Sequence, residues 1–513
     1  MTNRERSVYL YFKVDILGIK MNPILNSDIQ KRIKRDNPWW SDEKNPISET
    51  NFPKRVYFES LKKLALDFSV KRATVMMGPR RVGKTFIIKQ LIADAIADGI
   101  NPKSILYVSI DTPIYAGKSL EYFLELMPEM SQSEKKIVIF DEIQYLRDWA
   151  VHLKDLVDSY TNIKFIATGS AAAALRLKSQ ESGAGRFSEF MLPPLTFYEF
   201  LVFLNEDDAL IEQTKAKNEN GTVINYTVKD IEKLNARFID YLNFGGYPEA
   251  VLNNSIRHNP DQFIRNDIVD KVLLKDLPNL YGIQDIQELN KLFSFLAYNA
   301  GNEASLENIC RDSGLTKPTI KKYIEYLESA FLIIKVNNVD ENCKTMKRER
   351  NFKIYLNNPS MRAALFEPVD ASKPAEIGHL IESAIFAQWQ HSASSRNLRY
   401  ARWKNEGEVD IVYLAGAQQS PLWIGEIKWS DHVKTNKEHE IKSLSLLLQR
   451  HKSIESAFFT TKTITDEFEI DGRVLSVKPS ALYCYTVGRN VTSGLNNPFA
   501  TFTGVEDEER DLL

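Results

Sequence analysis

Apolar and polar positions fall into blocks whose period changes along this 513-residue chain. From Val56 to Phe68 apolar residues recur at helical spacing, which predicts an amphipathic helix. "ATVMM" (Ala73–Met77) is a short apolar strand, followed by a Gly-rich turn and the helical pattern "KTFIIKQLIADAIADG". "SILYVSID" (Ser104–Asp111), "KIVIFDE" (Lys136–Glu142) and "IKFIATGS" (Ile163–Ser170) are further buried strands with helical patterns between them. Strands that are apolar throughout and alternate with helices predict a parallel α/β sheet, closing near Pro194.

Residues 195–300 read mainly as helix, with the polar stretch Asn205–Asp230 as an inserted loop. "SLENICRDSGLTKPTIKKYIEYLESAFLI" reads as a helix-turn-helix: Gly314 marks the turn, Thr316 caps the second helix and Pro318 lies in its first turn. "KTMKRERNFKIYL" continues as a basic segment entering a strand, as in a wing, and residues 375–490 return to mixed α and β. The polar first 50 residues carry a Trp pair, Trp39 and Trp40, expected to dock on a neighbouring domain; the acidic end "GVEDEERDLL" is expected to be disordered. The predicted division is an extension (1–50), a P-loop domain (51–195), a helical lid or linker (196–300), a winged helix-turn-helix (301–356), a nuclease-like domain (357–490) and a tail (491–513).

Composition narrows this little. Hydrophobic content of 43% and charged content of 26% are ordinary for a globular chain. A formal net charge of −2 gives no global basic field, so nucleic-acid binding has to come from local patches. Cys310, Cys343 and Cys484 are scattered and odd in number, which fits free thiols and a cytoplasmic setting. No apolar run has the length of a membrane span, so no membrane partner is expected, and the N-terminus reads as no secretory signal.

The most specific chemistry is "GPRRVGKT", with a strand before it and a helix after it. Gly78, Pro79, Arg80, Arg81, Val82 and Gly83 form a loop whose backbone N–H groups would cradle phosphate oxygens at a helix N-terminus. Lys84 would reach the β- and γ-phosphates of ATP and the Thr85 hydroxyl would ligate Mg²⁺, with Phe86 following. In "KKIVIFDEIQYL" the strand delivers Asp141 as a second Mg²⁺ holder and Glu142 as general base toward the attacking water. Thr168 or Ser170 would sense the γ-phosphate, or else cap the strand end. Arg186, after a Gly-rich loop, is the candidate arginine finger, or else a plain surface or interface arginine.

Near the C-terminus, "EVDIVYLAGAQQSPLWIGEIKWS" reads as two strands joined by a turn. Asp410 points inward from one; Glu426 and Lys428, two apart on the other, share a face. The pattern admits a metal-dependent nuclease, a gripping surface that does not cut, or a solvated sheet face, and Glu408 could share the face of Asp410. Trp403, Trp423 and Trp429 flank these strands as packing or as base-stacking platforms.

In order, "GPRRVGKT", "IVIFDEIQ", "IATGS", "GRFSEFMLPPLTFYEF", "YLNFGGYPEAV", "KIYLNNPSMR", "IGHLIESAIF" and "EVDIVY…GEIKWS" resemble the prokaryotic AAA+-type ATPases that join a P-loop head, a winged-helix middle and a restriction-endonuclease-like, PD-(D/E)XK tail, over roughly residues 55–490. The resemblance implies an α/β architecture with these three parts, and a tail site of Glu382 on a helix, Asp410 on one strand and Glu426 with Lys428 on the next. Asp410 and Glu426 would be its metal ligands, Mg²⁺ lowering the pKa of a bound water and Lys428 orienting it. One departure stands out: where most relatives end the preceding strand in Asp, this chain has Asn357 and Asn358.

The leading functional reading is an ATPase acting on DNA, with cleavage under nucleotide control. DNA would be gripped by Lys317, Lys321 and Lys322 of the second helix and by the basic wing; the helix-turn-helix could equally serve only as packing. The alternative is a nucleotide-dependent regulatory or scaffold protein whose tail docks a protein partner. A third reading, translocation along DNA, calls for a homo-oligomeric ring, and an arginine finger supplied in trans calls for at least a dimer.

Overall fold

The computed structural model describes residues 25–41, 47–129, 134–169, 185–218, 221–340, 342–344, 351–403, 407–415, 419–493 and 505–506. Ser170, the Gly-rich loop before Gly185, the basic run 345–350 and most of the acidic end lie outside them.

The head is a sheet of five parallel strands: β1 (Ala73–Met77), β2 (Ile105–Ser109), β3 (Lys136–Asp141), β4 (Ile163–Gly169) and β5 (Phe187–Met191), in the order β2-β3-β4-β1-β5. Every residue of β1 is buried, as its unbroken apolar run requires of a central strand. The free edge of β2 is covered from the N-terminal side. The Trp39 and Trp40 indoles both donate to the Ile105 carbonyl, at 3.0 and 2.8 Å. The Asn37 amide meets the Tyr107 backbone as a strand would, donating at 2.9 Å and accepting at 2.7 Å. The Trp pair therefore docks, as expected.

Asn205–Asp230 corrects the reading of an inserted loop. It holds an antiparallel hairpin, β6 (Ile211–Asn218) and β7 (Gly221–Val228). The alternation in Thr222–Val228 turns Ile224 and Tyr226 inward, and Tyr226 stacks edge-on against Tyr485 at 5.6 Å. An Asn-Gly pair at positions 220 and 221 is the signal the sequence reading passed over.

The span 196–300 is not one lid. Helices Phe197–Phe203, Ile231–Phe244 and Pro248–Leu252 share a core with helices Pro374–Trp389 and Ser480–Thr492. Residues from Val269 to Met361 build a separate core. That second unit contains helix Leu306–Ser313, the turn at Gly314 and helix Lys317–Ser329, capped by the Thr316 hydroxyl. It also contains β8 (Glu303–Ser305), β9 (Ile333–Val339) and β10 (Asn351–Leu356), in the order β9-β10-β8.

The boundary expected at 356/357 is bridged by a sheet. Beyond it lie β11 (Leu398–Trp403), β12 (Gly407–Ala415), β13 (Ser420–Glu426), β14 (Ser456–Thr461), β15 (Asp466–Ile470) and β16 (Arg473–Pro479). β9 pairs with β11 through Asn338 and Val339, so the two regions form one nine-stranded sheet, β15-β16-β14-β13-β12-β11-β9-β10-β8. Trp423 is fully buried and Trp403 nearly so, which makes them packing rather than platforms.

Candidate functional site

In the head, the strand-to-helix turn does what its glycines permit. A Cβ on Gly78 would sit 2.2 Å from the Leu192 carbonyl oxygen, and Gly83 holds φ +94° as it opens the helix Lys84–Ala97. Val82 is buried, and Arg81 lies at φ 64°, a left-handed conformation that costs a non-glycine residue. Lys84 is buried and donates to the carbonyls of Gly78 at 3.1 Å and Pro79 at 2.7 Å; burial pushes its pKa down, against the carboxylates of Glu142 and Asp141. Phe86 is exposed and meets Phe52 edge to face at 5.3 Å. A cavity of about 640 Å³ opens here, with Lys84, Thr85, Phe86, Arg80 and Glu142 in its wall.

β4 lies between β1 and β3, so Asp141 reaches the P-loop across an intervening strand end rather than from beside it. It does so through hydrogen bonds. Asp141 accepts from Thr85 Oγ1 at 2.9 Å, from Tyr107 Oη at 2.7 Å and from Thr168 Oγ1. Glu142, also left-handed at φ 54°, donates its N–H to Thr168 Oγ1 at 3.2 Å, and its carboxylate takes the Gln144 amide. Thr168 is buried, and its hydroxyl joins the Asp141 carboxylate to the Glu142 N–H.

Arg186 is a correction. It precedes β5, which runs parallel to β1 with Phe187 beside Ala73, so it sits at the end of the sheet opposite the P-loop. Its guanidinium pairs with Asp158 at 2.5 Å and is 42% exposed. Within its own chain it cannot reach a phosphate held by Gly78–Thr85.

Arg55, Arg80 and Arg81 line the cavity, and all three are engaged. Arg80 makes a bidentate pair with Asp276, 2.7 Å for each bond, and a 3.1 Å bond to Tyr145 Oη. Arg81 spans Glu249 at 2.8 Å and Asp267 at 2.6 Å. Arg55 is buried, donating to the Val82 carbonyl at 2.7 Å and to Glu199 at 2.7 and 3.0 Å. None of these carboxylates is suggested by local sequence.

In the tail, the four expected side chains come together. Glu382 projects from helix Pro374–Trp389, Asp410 from β12 and Glu426 from the end of β13. Lys428 pairs with Glu426 at 2.5 Å and lies 3.8 Å from Asp410. Asp410 also accepts the Ile427 N–H at 2.9 Å. A fifth member was missed from sequence. Lys353 of β10, nearly buried, lies 2.5 Å from Glu408, 3.4 Å from Glu382 and 3.7 Å from Asp410, while Tyr355 Oη donates to Glu382 at 2.8 Å. Burial, with Asp410 close by, pushes the carboxyls of Glu382 and Glu426 upward. Glu426 Oε2 is buried with no hydrogen-bond partner.

Glu382, Asp410 and Glu426 supply carboxylate oxygens, the donor type that Mg²⁺ takes. As arranged, however, the ammonium groups of Lys353 and Lys428 stand among the acids. Among the described residues no group of three or more His, Cys, Asp or Glu converges in a way that would hold a metal ion.

Residues 70–201 match the AAA domain family, and residues 235–372 match a domain of unknown function (DUF8612). The head is thus an AAA-type P-loop domain. An uncharacterized protein of Methanocaldococcus jannaschii is 27% identical over 377 residues, covering 72% of this chain and 77% of its own. Among solved structures, the replication initiator DnaA bound to AMPPCP and single-stranded DNA is 15% identical, covering 55% of this chain and 92% of that one, with a TM-score of 0.28. The Pif1 helicase from Candida albicans is 13% identical, covering 30% of this chain and 44% of that one, with a TM-score of 0.21. Both overlaps are too shallow to carry an argument. No helix among the described residues is long and apolar enough to cross a membrane.

Proposed function

We propose that this chain binds and hydrolyses ATP at the head and acts on DNA through the middle unit and the tail. The observation that carries the ATPase reading is the 2.9 Å hydrogen bond between the Thr85 hydroxyl and Asp141. It brings the two oxygens that would share Mg²⁺ together beside Lys84. Mg²⁺ bound there would neutralise charge on the phosphates. Lys84 would give up its bonds to the loop carbonyls for phosphate oxygens. Glu142, in the same cavity wall and held by the Thr168 hydroxyl, would take the proton of the attacking water. Phe86 and Phe52 offer an apolar wall to the base.

The order in the tail, helix, three antiparallel strands, helix, then a strand parallel to the third, supports a restriction-endonuclease-like fold. Glu382, Asp410, Glu426 and Lys428 in one cluster support a nuclease-like site, in which Mg²⁺ would have to displace the ammonium groups of Lys353 and Lys428 from the acids. The exposed Lys317, Lys321 and Lys322 support a winged-helix contact with the DNA backbone. A second reading, a nucleotide-dependent regulator whose tail docks a partner without cutting, is favoured by one observation: Lys353 already occupies part of the acidic cluster.

The test of the ATPase reading is Glu142→Gln. It is expected to keep nucleotide binding and lose turnover; wild-type turnover in that variant would remove Glu142 as the base.

A further inference from the structure

Arg80 lies in the wall of the cavity beside Lys84, and its guanidinium is already engaged. Its guanidinium fork is closed on both oxygens of Asp276, 2.7 Å each, in a pair whose side chains are 17% and 7% exposed. A carboxylate and a phosphate offer a guanidinium the same acceptor geometry, so the two compete for one fork. Arg81, more exposed, repeats the arrangement with Glu249 and Asp267.

Asp276 ends the helical segment Val272–Asp276, which belongs to the middle unit. Val272, Leu273 and Leu277, around Asp276, share one core with Phe352, Ile354 and Leu356 of β10. Lys353 lies between two of those apolar residues on the same strand, so it faces the other way, into the acidic cluster of the tail. One packed body therefore carries a carboxylate into the nucleotide site and an ammonium into the tail site. Packed cores of this kind shift as units rather than deforming smoothly.

We propose that Asp276 is a phosphate surrogate: it holds the Arg80 guanidinium, is displaced when nucleotide phosphate takes that guanidinium, and passes the displacement through the middle core to Lys353 in the acidic cluster. This rests on the head binding nucleotide. It also supplies what control of the tail by nucleotide requires, two sites and a body that both of them bias.

The experiment titrates a fluorescent, non-hydrolysable ATP analogue with Mg²⁺ into the full chain, wild type beside Asp276→Asn. It then follows hydrogen exchange in segments 261–281 and 351–356 with and without the analogue. Freeing Arg80 is expected to tighten binding about tenfold, because the competent state no longer has to be released from a competitor. In the wild type the analogue is expected to raise exchange in both segments; in Asp276→Asn exchange is already raised without it. Equal or weaker binding by a folded Asp276→Asn, or wild-type exchange at 351–356 indifferent to the analogue, would overturn the proposal. Should Asp276→Asn fail to fold, the wild-type exchange result decides alone. Absence of analogue binding by the wild type would overturn the ATPase reading and this proposal together.

Discussion

At the P-loop the chain presents cations and meets them with carboxylates; at the tail it presents carboxylates and meets them with ammonium groups. Arg80 closes on Asp276 and Arg81 on Glu249 and Asp267, while Glu382, Glu408 and Asp410 surround Lys353 and Glu426 pairs with Lys428. In both places a neutralising group comes from the middle unit, Asp276 for the head and Lys353 for the tail. The difference lies in what remains open. The head keeps a cavity of about 640 Å³ beside its paired arginines. The tail keeps one buried oxygen of Glu426 without a partner. A site built for a polyanion and one built for a cation can thus both rest on internal counter-charges, since burying either charge alone is costly.

The largest expected effect tests whether head and tail core are one body. Arg55 and Glu199 are both buried and join the head to the helix Phe197–Phe203 of the tail-side core. Arg55→Met leaves a buried carboxylate unpaired and should cost about 3–5 kcal/mol, read as a lower denaturant midpoint. An unchanged midpoint would show that the pair is no joint.

Next comes the head alone. Lys84→Ala should weaken nucleotide binding on the order of a hundredfold, through loss of charge-assisted bonds. Retained affinity would overturn the P-loop assignment.

A third test uses pH. His391 sits at the same joint, its Nδ1 2.5 Å from Tyr57 Oη, and burial pushes its pKa from 6.5 down to about 3. Between those values the unfolded chain takes up a proton that the folded chain refuses. The contribution is therefore present above pH 6.5 and lost as pH falls toward 3. Stability should drop by about 3 kcal/mol by about pH 4.5, and His391→Asn should flatten that slope. An unaltered slope in the variant would place the acid sensitivity elsewhere.

The smallest effect belongs to Arg186→Ala, expected to leave turnover unchanged. A large loss would mean that the guanidinium works on a neighbouring copy.

Much of this was legible wherever chemistry depends on local spacing. "GPRRVGKT" and "IVIFDE" bring Lys84, Thr85, Asp141 and Glu142 to one end of the head sheet, because a strand end and a helix start are fixed by a few residues each. Asp410, Glu426 and Lys428 follow from period-two alternation. What escaped came from long-range pairing: Asp276 is 196 residues from Arg80, and Lys353 is 29 from Glu382 and on a different element. The hairpin at Ile211–Val228 was hidden by polar residues on its outward face, although alternation was present. Arg186 was misplaced by ignoring direction: in a parallel sheet the residue before a strand lies at the end away from the P-loop.

The most direct measurement is cleavage of labelled single-stranded, duplex and branched DNA by the full chain, with Mg²⁺ or Mn²⁺, with and without ATP, set beside Glu426→Ala. Metal-dependent, nucleotide-sensitive cleavage by the wild type, lost in Glu426→Ala while ATP turnover persists, is the predicted result. Equal cleavage by both proteins, or none by the wild type on any of these substrates, would contradict the account.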